Sequence, residues 1–171
     1  PAFVASENFS IVLYTGNSAS DNSGTTQSIT GVGFKPDWVI IKRRDGTENH
    51  YVHDSSRGST KTIYTNLNNA EYDESNSVTS FDTDGFTVGG YNGTNNNGET
   101  YVAWCWKSGG GTTSSNTDGN ITSTVQTNTN AGFSILTYSG TNNGSSATLG
   151  TGFDSAVDFV IIKATNSSQA W

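Results

Sequence analysis

The feature that most constrains this chain is an internal repeat. The segment Phe9–Gly16 (FSIVLYTG) returns as Phe133–Gly140 (FSILTYSG). Downstream, Asp37–Lys42 (DWVIIK) returns as Asp158–Lys163 (DFVIIK), in each case after a Gly-Phe pair. The two copies are about 120 residues apart, which is the size of one domain. The chain therefore holds one full module and the opening part of a second.

The repeat divides the chain into three predicted parts. Residues 1–107 form the first module, 108–120 a linker, and 121–171 the first strands of an incomplete second module. The linker is rich in Gly, Ser, Thr and Asn, a composition typical of flexible coil. Because the chain begins at Pro1 without a methionine and stops at Trp171 inside the second copy, we expect it to be part of a longer protein.

Strands dominate the predicted secondary structure. The apolar runs are short, rich in β-branched and aromatic residues, and bounded by Gly or Asn clusters. No segment has a convincing apolar period of about 3.6 residues, so we predict an all-β, antiparallel β-sandwich with at most one short helical turn, around 66–74. The predicted strands are 9–15, 27–31, 37–43, 49–54, 61–65, 78–81, 85–90, 100–107, 121–126, 133–138 and 157–163.

Two strands are predicted to lie at the centre of the sandwich. Residues 38–41 and 101–106 are apolar at every position, which indicates that both faces of these strands are covered. A free cysteine in such a run is typically a buried, inert thiol. The side chains assigned to the core on this basis are Trp38, Trp104, Trp106 and Cys105.

Charge limits the classes of partner. The chain carries 8 Lys and Arg against 15 Asp and Glu, a net charge of −7. Such a surface repels nucleic acid and anionic lipid, so we expect no nucleic-acid partner. The sequence also lacks an apolar run of about 18 residues, so we predict no membrane span.

A tight turn offers the only candidate metal ligands. Asp82 and Asp84 precede Gly85 and resemble half of a calcium loop. In one interpretation the turn is purely structural and its carboxylates accept hydrogen bonds from backbone N–H groups. In the other, the two aspartates hold Ca²⁺ with help from other loops. No other cofactor is predicted.

Tyrosines in predicted loops are candidates for stacking on a sugar ring. Sugar sites commonly combine an apolar ring face with a few fixed polar groups. Tyr91 is followed by a loop rich in Asn and Thr, which supplies such groups. An idle loop has the same composition. The candidate ligand-binding residues are Tyr64, Tyr72, Tyr91, Asn92, Thr94, Asn95 and Asn96.

Catalytic constellations are not evident, and we predict that the protein is not an enzyme. No glutamate lies in an apolar stretch that would raise its pKa for acid catalysis. His50 and His53 fall on opposite faces of one predicted strand, so they do not share a metal ion. Asp54 and Arg57 are predicted to form an ion pair in the turn that follows.

Three motifs resemble a known family. Gly33–Arg44 (GFKPDWVIIKRR), Phe81–Phe86 (FDTDGF) and Tyr101–Lys107 (YVAWCWK) resemble, in order and spacing, a repeated domain in virion proteins of tailed bacteriophages, especially marine ones. The resemblance covers about residues 9–111 and returns at 133–163. The segment between the copies is shorter here than in many members. The resemblance implies a jelly-roll or concanavalin-like lectin sandwich and no catalytic residues.

The same resemblance sets the functional expectations. It implies a non-enzymatic protein of the virion surface, extracellular, in a tail fibre or host-attachment appendage. The expected partners are other virion proteins, further copies of the chain in a homo-oligomer, and a host surface glycan. One alternative is a capsid decoration or a self-assembling filament subunit. A lower alternative is a secreted glycan-binding or glycan-degrading protein.

Overall fold

The computed structural model describes residues 4–141 and 146–171, and its regular secondary structure is almost entirely β-strand. Residues 1–3 of the predicted first module and 142–145 of the second lie outside the described residues. A 3-10 helix spans Ala5–Glu7 and a single-turn helix, α1, spans Asn92–Asn95. The strands are β1 Phe9–Thr15, β2 Gln27–Thr30, β3 Trp38–Arg43, β4 Tyr51–Asp54, β5 Gly58–Tyr64, β6 Tyr72–Asp73, β7 Val78–Asp82, β8 Gly85–Val88, β9 Thr100–Trp106, β10 Ser114–Asn116, β11 Ser123–Asn128 and β12 Phe133–Tyr138.

Two antiparallel sheets form the sandwich. The main sheet has the strand order β1-β9-β3-β4-β5-β6, and the smaller sheet has the order β2-β8-β7. Apolar side chains from both sheets meet in one core, with Val39, Ala103 and Cys105 from the main sheet and Phe86 and Val88 from the smaller one. The prediction of an all-β antiparallel sandwich is confirmed, and its lectin-like subtype stays a prediction.

The tryptophans correct the predicted core. In β9, Tyr101, Ala103 and Cys105 are fully buried, and they alternate with half-buried residues. Because side chains alternate between the faces of a strand, Trp104 and Trp106 lie on the outer face of the sheet. Trp38 is likewise half-buried, and its neighbour Val39 fills the core. The assignment of Trp38, Trp104 and Trp106 to the core was therefore wrong.

Cys105 is buried in the core as predicted. Burial raises the pKa of its thiol to about 12, so the reactive thiolate does not form near neutral pH. Among the described residues, no helix is long and apolar enough to cross a bilayer.

All predicted strands except 157–163 overlap with strands of the structure, with bounds that differ by up to three residues. Residues 157–162 are exposed and without regular secondary structure. Their counterpart in the first copy is β3, which pairs with β4 on one side and β9 on the other. Within the described residues, this apolar run pairs with no strand. The prediction of a strand at 157–163 was therefore wrong, because an apolar, β-branched run forms a strand only where neighbouring strands pair with it.

The short helix also lies elsewhere than predicted. Residues 66–74 contain turns and β6, which pairs with β5. An ion pair of 2.8 Å between Lys61 and Asp73 joins these two strands. The α-helical turn forms instead at Asn92–Asn95, within a segment that was predicted to be a loop.

A fully buried histidine lies inside the sandwich. His53 Nδ1 is 2.7 Å from the carbonyl oxygen of Ser59, and His53 Nε2 is 3.0 Å from Ser77 Oγ. The ring therefore donates from Nδ1 to Ser59 and accepts at Nε2 from the Ser77 hydroxyl. Burial lowers the pKa of His53 to about 3, so the imidazole is neutral in the folded protein. Because Ser77 and His53 are both buried, the hydrogen bond between them stabilises the interior of the sandwich.

The depressed pKa of His53 predicts an acid-sensitive fold. Between about pH 6.5 and about pH 3 the unfolded chain binds a proton at residue 53 that the folded chain does not. The free energy of unfolding should therefore fall as the pH is lowered through this window, by up to about 1.4 kcal/mol per pH unit. Urea unfolding between about pH 7 and about pH 5, above most carboxylate titration, measures the slope.

Two histidine variants assign this slope. His53→Gln should flatten it, even though the substitution also lowers stability at neutral pH. His50→Gln should keep most of it, because His50 is only partly buried on the other face of the same hairpin. Equal slopes in the native chain and in His53→Gln would contradict the prediction.

Candidate functional site

A buried carboxylate joins three parts of the chain. Asp37 lies one residue before β3 and is fully buried. Its Oδ1 accepts a hydrogen bond of 2.6 Å from the hydroxyl of Ser55, in the turn between β4 and β5. Its Oδ2 accepts hydrogen bonds from the backbone N–H groups of Ser108 at 2.7 Å and Gly110 at 2.9 Å. Asp37 thus fixes the path of the chain as it leaves β9.

A buried amide, Gln126 of β11, extends this contact to the second copy. Its Oε1 accepts hydrogen bonds of 3.2 Å from the N–H groups of Gly109 and Gly111. Its Nε2 donates to the hydroxyls of Ser55 at 2.8 Å and Ser56 at 2.7 Å. The side chain is therefore satisfied at one end by the first module and at the other by the Gly-rich segment that follows β9. We call the contacts made by Asp37 and Gln126 the junction network.

Aromatic packing seats the second copy on the first. β10, β11 and β12 form a separate antiparallel sheet in that order. Phe133 of β12 stacks on Trp106 and meets the edge of Trp38, with ring centroids 6.3 Å apart in both cases. Asn128 of β11 donates to Asn8 at 2.7 Å, just before β1. The first strand of the second copy thus rests on the outer face of the first sheet.

The segment between the copies is more ordered than its composition predicted. Residues 108–120 were expected to form flexible coil, whereas Ser108 to Gly111 are held by the junction network and Ser114–Asn116 form β10. A Gly-rich segment leaves its backbone N–H groups accessible, and here these groups donate hydrogen bonds to the buried side chains of Asp37 and Gln126. The boundaries predicted at 107 and 120 stay a prediction.

The candidate tyrosines come together in one cluster. Tyr64 and Tyr72 stack, with ring centroids 5.6 Å apart and hydroxyl oxygens 2.6 Å apart. Tyr51 packs edge-on against Tyr64 and Tyr91. Burial raises the pKa of both Tyr51 and Tyr72, so their phenols stay protonated. Tyr64 is only 8% exposed, which leaves Tyr72 and Tyr91 as the partly accessible rings.

The polar residues after Tyr91 divide into two groups. Thr94 and Asn95 are fully buried, and Asn95 Nδ2 donates to the carbonyl of Gly89 and to Asn17 Oδ1. Their side chains therefore hold α1 against the sandwich. Asn92 is exposed and Asn96 half-buried, so these two are accessible to a ligand. The assignment of a binding site here stays a prediction.

Asp82 and Asp84 are both engaged within the protein. Asp84 accepts hydrogen bonds from the N–H groups of Gly31 at 3.1 Å and Gly33 at 2.6 Å, and these bonds lower the pKa of its carboxyl. Asp82 accepts from the hydroxyls of Ser80 and Thr87. These contacts are those of a structural Asp-Gly turn, and calcium binding stays a prediction.

Other charged groups form ion pairs at the surface and in the turns. Arg57 pairs with Asp54 at 2.6 Å, as predicted, and with Glu71 at 2.9 Å. Arg43 pairs with Glu99 at 2.7 Å. Within residues 4–141 and 146–171, no three His, Cys, Asp or Glu side chains are grouped to hold a metal ion.

One shallow groove of about 410 Å³ lies beside the tyrosine cluster. Both charged side chains of the groove are engaged by the protein itself: the Lys42 ammonium donates to the Arg43 and Gly46 carbonyls, and Glu48 accepts from the Tyr51 hydroxyl at 3.0 Å. The lining residues are Lys42, Gly46, Thr47, Glu48, Asn49 and Asn66.

The junction network was missed in the sequence. For Asp37 there was a signal, because the repeat conserves the aspartate as Asp158 although only apolar residues and a lysine follow it in both copies. For Gln126 there was none, since one Gln among Ser, Thr and Asn residues is not distinctive.

Removal of one acceptor from the junction network should weaken the fold. Asp37→Asn places an N–H₂ group or a weaker acceptor against the N–H groups of Ser108 and Gly110. We expect a loss of about 2–4 kcal/mol in the free energy of unfolding, measured by urea titration, because buried donors lose their partner. Asp158→Asn is the matched control: it changes the exposed counterpart and should shift stability by less than about 0.5 kcal/mol. Similar losses in the two variants would contradict this role for Asp37.

Comparison with known proteins places the chain in a family. No curated protein and no solved structure matches it. A family model described as "Domain of unknown function (DUF7483)" matches residues 4–171, which includes the first module, the junction network and the start of the second copy. On this match over nearly its whole length, the chain belongs to the DUF7483 family.

Proposed function

We propose that this protein is a non-enzymatic component of a bacteriophage virion surface, in a tail fibre or another appendage that meets the host. The single observation that carries the proposal is the junction network. Asp37 holds the segment that leaves the first module, and Gln126 binds the start of the second copy to the first module, in both cases through hydrogen bonds of a buried side chain. A module whose exit is built to seat its successor suits a long chain of serial domains.

The chemistry of the side chains supports a binding or structural role. The Ser77–His53 contact is buried, the thiol of Cys105 is buried, and the carboxylates of Asp54 and Glu71 share Arg57. Serial modules in many copies would turn weak contacts with a host glycan into useful avidity. The proposed location rests on the resemblance of the three sequence motifs to phage virion proteins.

A second candidate is a capsid decoration or filament subunit. It is favoured by one observation: β1 is an edge strand of the main sheet, and its side chains Ile11 and Leu13 are exposed. An accessible edge strand allows pairing with a neighbouring chain.

Electron microscopy of particles labelled with antibody against residues 1–111 tests the location. Label at fibre or tail tips is the expected result. Label spread over the capsid would favour the capsid-decoration candidate over the host-attachment candidate. Particles without label, while the same serum detects the protein in the infected culture, would overturn the virion proposal. Serum absorbed with the purified chain is the control.

A glycan array tests the attachment role. The chain should bind host surface glycans, and Asn92→Ala combined with Asn96→Ala should reduce the binding about tenfold, because these are the accessible polar groups beside Tyr91. Asn130→Ala is the matched control, since Asn130 is exposed in the loop between β11 and β12. Binding that is unaffected by the double variant would move the site elsewhere. Release of reducing ends from the glycan would contradict the non-enzymatic assignment.

A further inference from the structure

An apolar patch lies on the outer face of the main sheet. Ile11 pairs with Trp104, which pairs with Ile40, and Leu13 pairs with Val102 in the next pair on the same face. Ile11 is 53% and Leu13 61% exposed, and the other three are half-buried. We call Ile11, Leu13, Ile40, Val102 and Trp104 the outer patch. Contiguous apolar surface of this kind typically marks an interaction site.

The structure already contains one contact on this face. Phe133 of the second copy stacks on Trp106 and meets Trp38, at the end of the face next to the outer patch. Phe133 and Ile135 are the counterparts of Phe9 and Ile11 by the internal repeat. Both therefore lie on the face of β12 that corresponds to the outer face of the first module.

The seat of Phe133 is thus a contact between like faces. In the first copy, Phe9 and Ile11 lie on the outer face of the main sheet. In the second copy, the equivalent face carries Phe133, and it packs on the outer face of the first copy. Ile135 is only 5% exposed, whereas its counterpart Ile11 is 53% exposed. The outer patch is the part of this self-complementary face that remains uncovered.

We propose that the outer patch is covered by the outer patch of a second copy of this chain. The contact continues the one that Phe133 begins. It also suits the charge distribution: two chains of net charge −7 repel, and the patch offers an approach through side chains that carry no charge. The inference concerns the module itself and does not depend on its location in a virion.

One other apolar segment competes as an explanation for self-association. Phe159, Val160, Ile161 and Ile162 are each more than half exposed. Their counterparts in β3 pair with strands on both sides. Self-association through this segment would therefore occur by strand pairing, and not by packing of the outer face. The experiment therefore compares variants of the two surfaces.

Sedimentation velocity over a concentration series tests the proposal on the full 171-residue chain. The native chain should show a monomer–dimer equilibrium. Leu13→Glu should raise the dissociation constant at least about thirtyfold, because it places a charge inside the contact. Ile161→Glu should leave the constant unchanged. A native chain that stays monomeric throughout, or association that is lost in Ile161→Glu and kept in Leu13→Glu, would overturn the proposal.

Two controls separate the patch from general effects. Leu13→Lys makes the net charge less negative, whereas Leu13→Glu makes it more negative. If only repulsion between the chains mattered, Leu13→Lys would strengthen association. If Leu13 is buried in the contact, both variants weaken association. Because Leu13 is exposed, both variants should keep the native melting temperature.

The emission of Trp104 separates face packing from edge pairing. The difference spectrum between the native chain and Trp104→Phe should shift to the blue on association, because the ring loses contact with water. A dimer without this shift would indicate pairing at the β1 edge and would overturn the assignment of the patch.

Discussion

The fold depends on β9 lying between β1 and β3. Seven residue pairs join β9 to β1 and six join it to β3. Because side chains alternate along a strand, the inward position of Ala103 and Cys105 directs Trp104 and Trp106 outward. One register therefore supplies the core, the exposed outer patch and the aromatic seat for Phe133. The second copy rests on a surface that the packing of the first creates.

The sequence predicted the strands well because β-branched runs between Gly and Asn clusters have a local signature. It did not predict which face of a wholly apolar strand is the core. Residues 101–106 show no polar alternation, so the inward side is decided by partners in distant strands. The prediction of a strand at 157–163 was wrong for a related reason. The composition of this segment favours a strand, but a strand also requires neighbouring strands to pair with.

The candidate site was less predictable than the fold. Thr94 and Asn95 belong to a segment whose composition is typical of a sugar-binding loop. Their side chains instead hold a short helix against the sandwich. Asp37 and Gln126 lie 89 positions apart in the numbering, and both reach Ser55 from there. Composition does not reveal whether a polar side chain is satisfied within the protein, because that depends on contacts between distant parts of the chain.

The pairing of β1 with β9 has a consequence for biosynthesis. β1 leaves the ribosome ahead of the rest of the module, and its ladder partner β9 follows only after most of the module has been made. Such non-local pairing delays folding, so β1 stays without its ladder partner, and β3 has only β4 to pair with, until β9 has been made. Once β9 arrives, the sheet closes and the residues just behind it, Ser108 and Gly110, reach Asp37. Completion of one module thereby prepares the surface on which the next begins to fold.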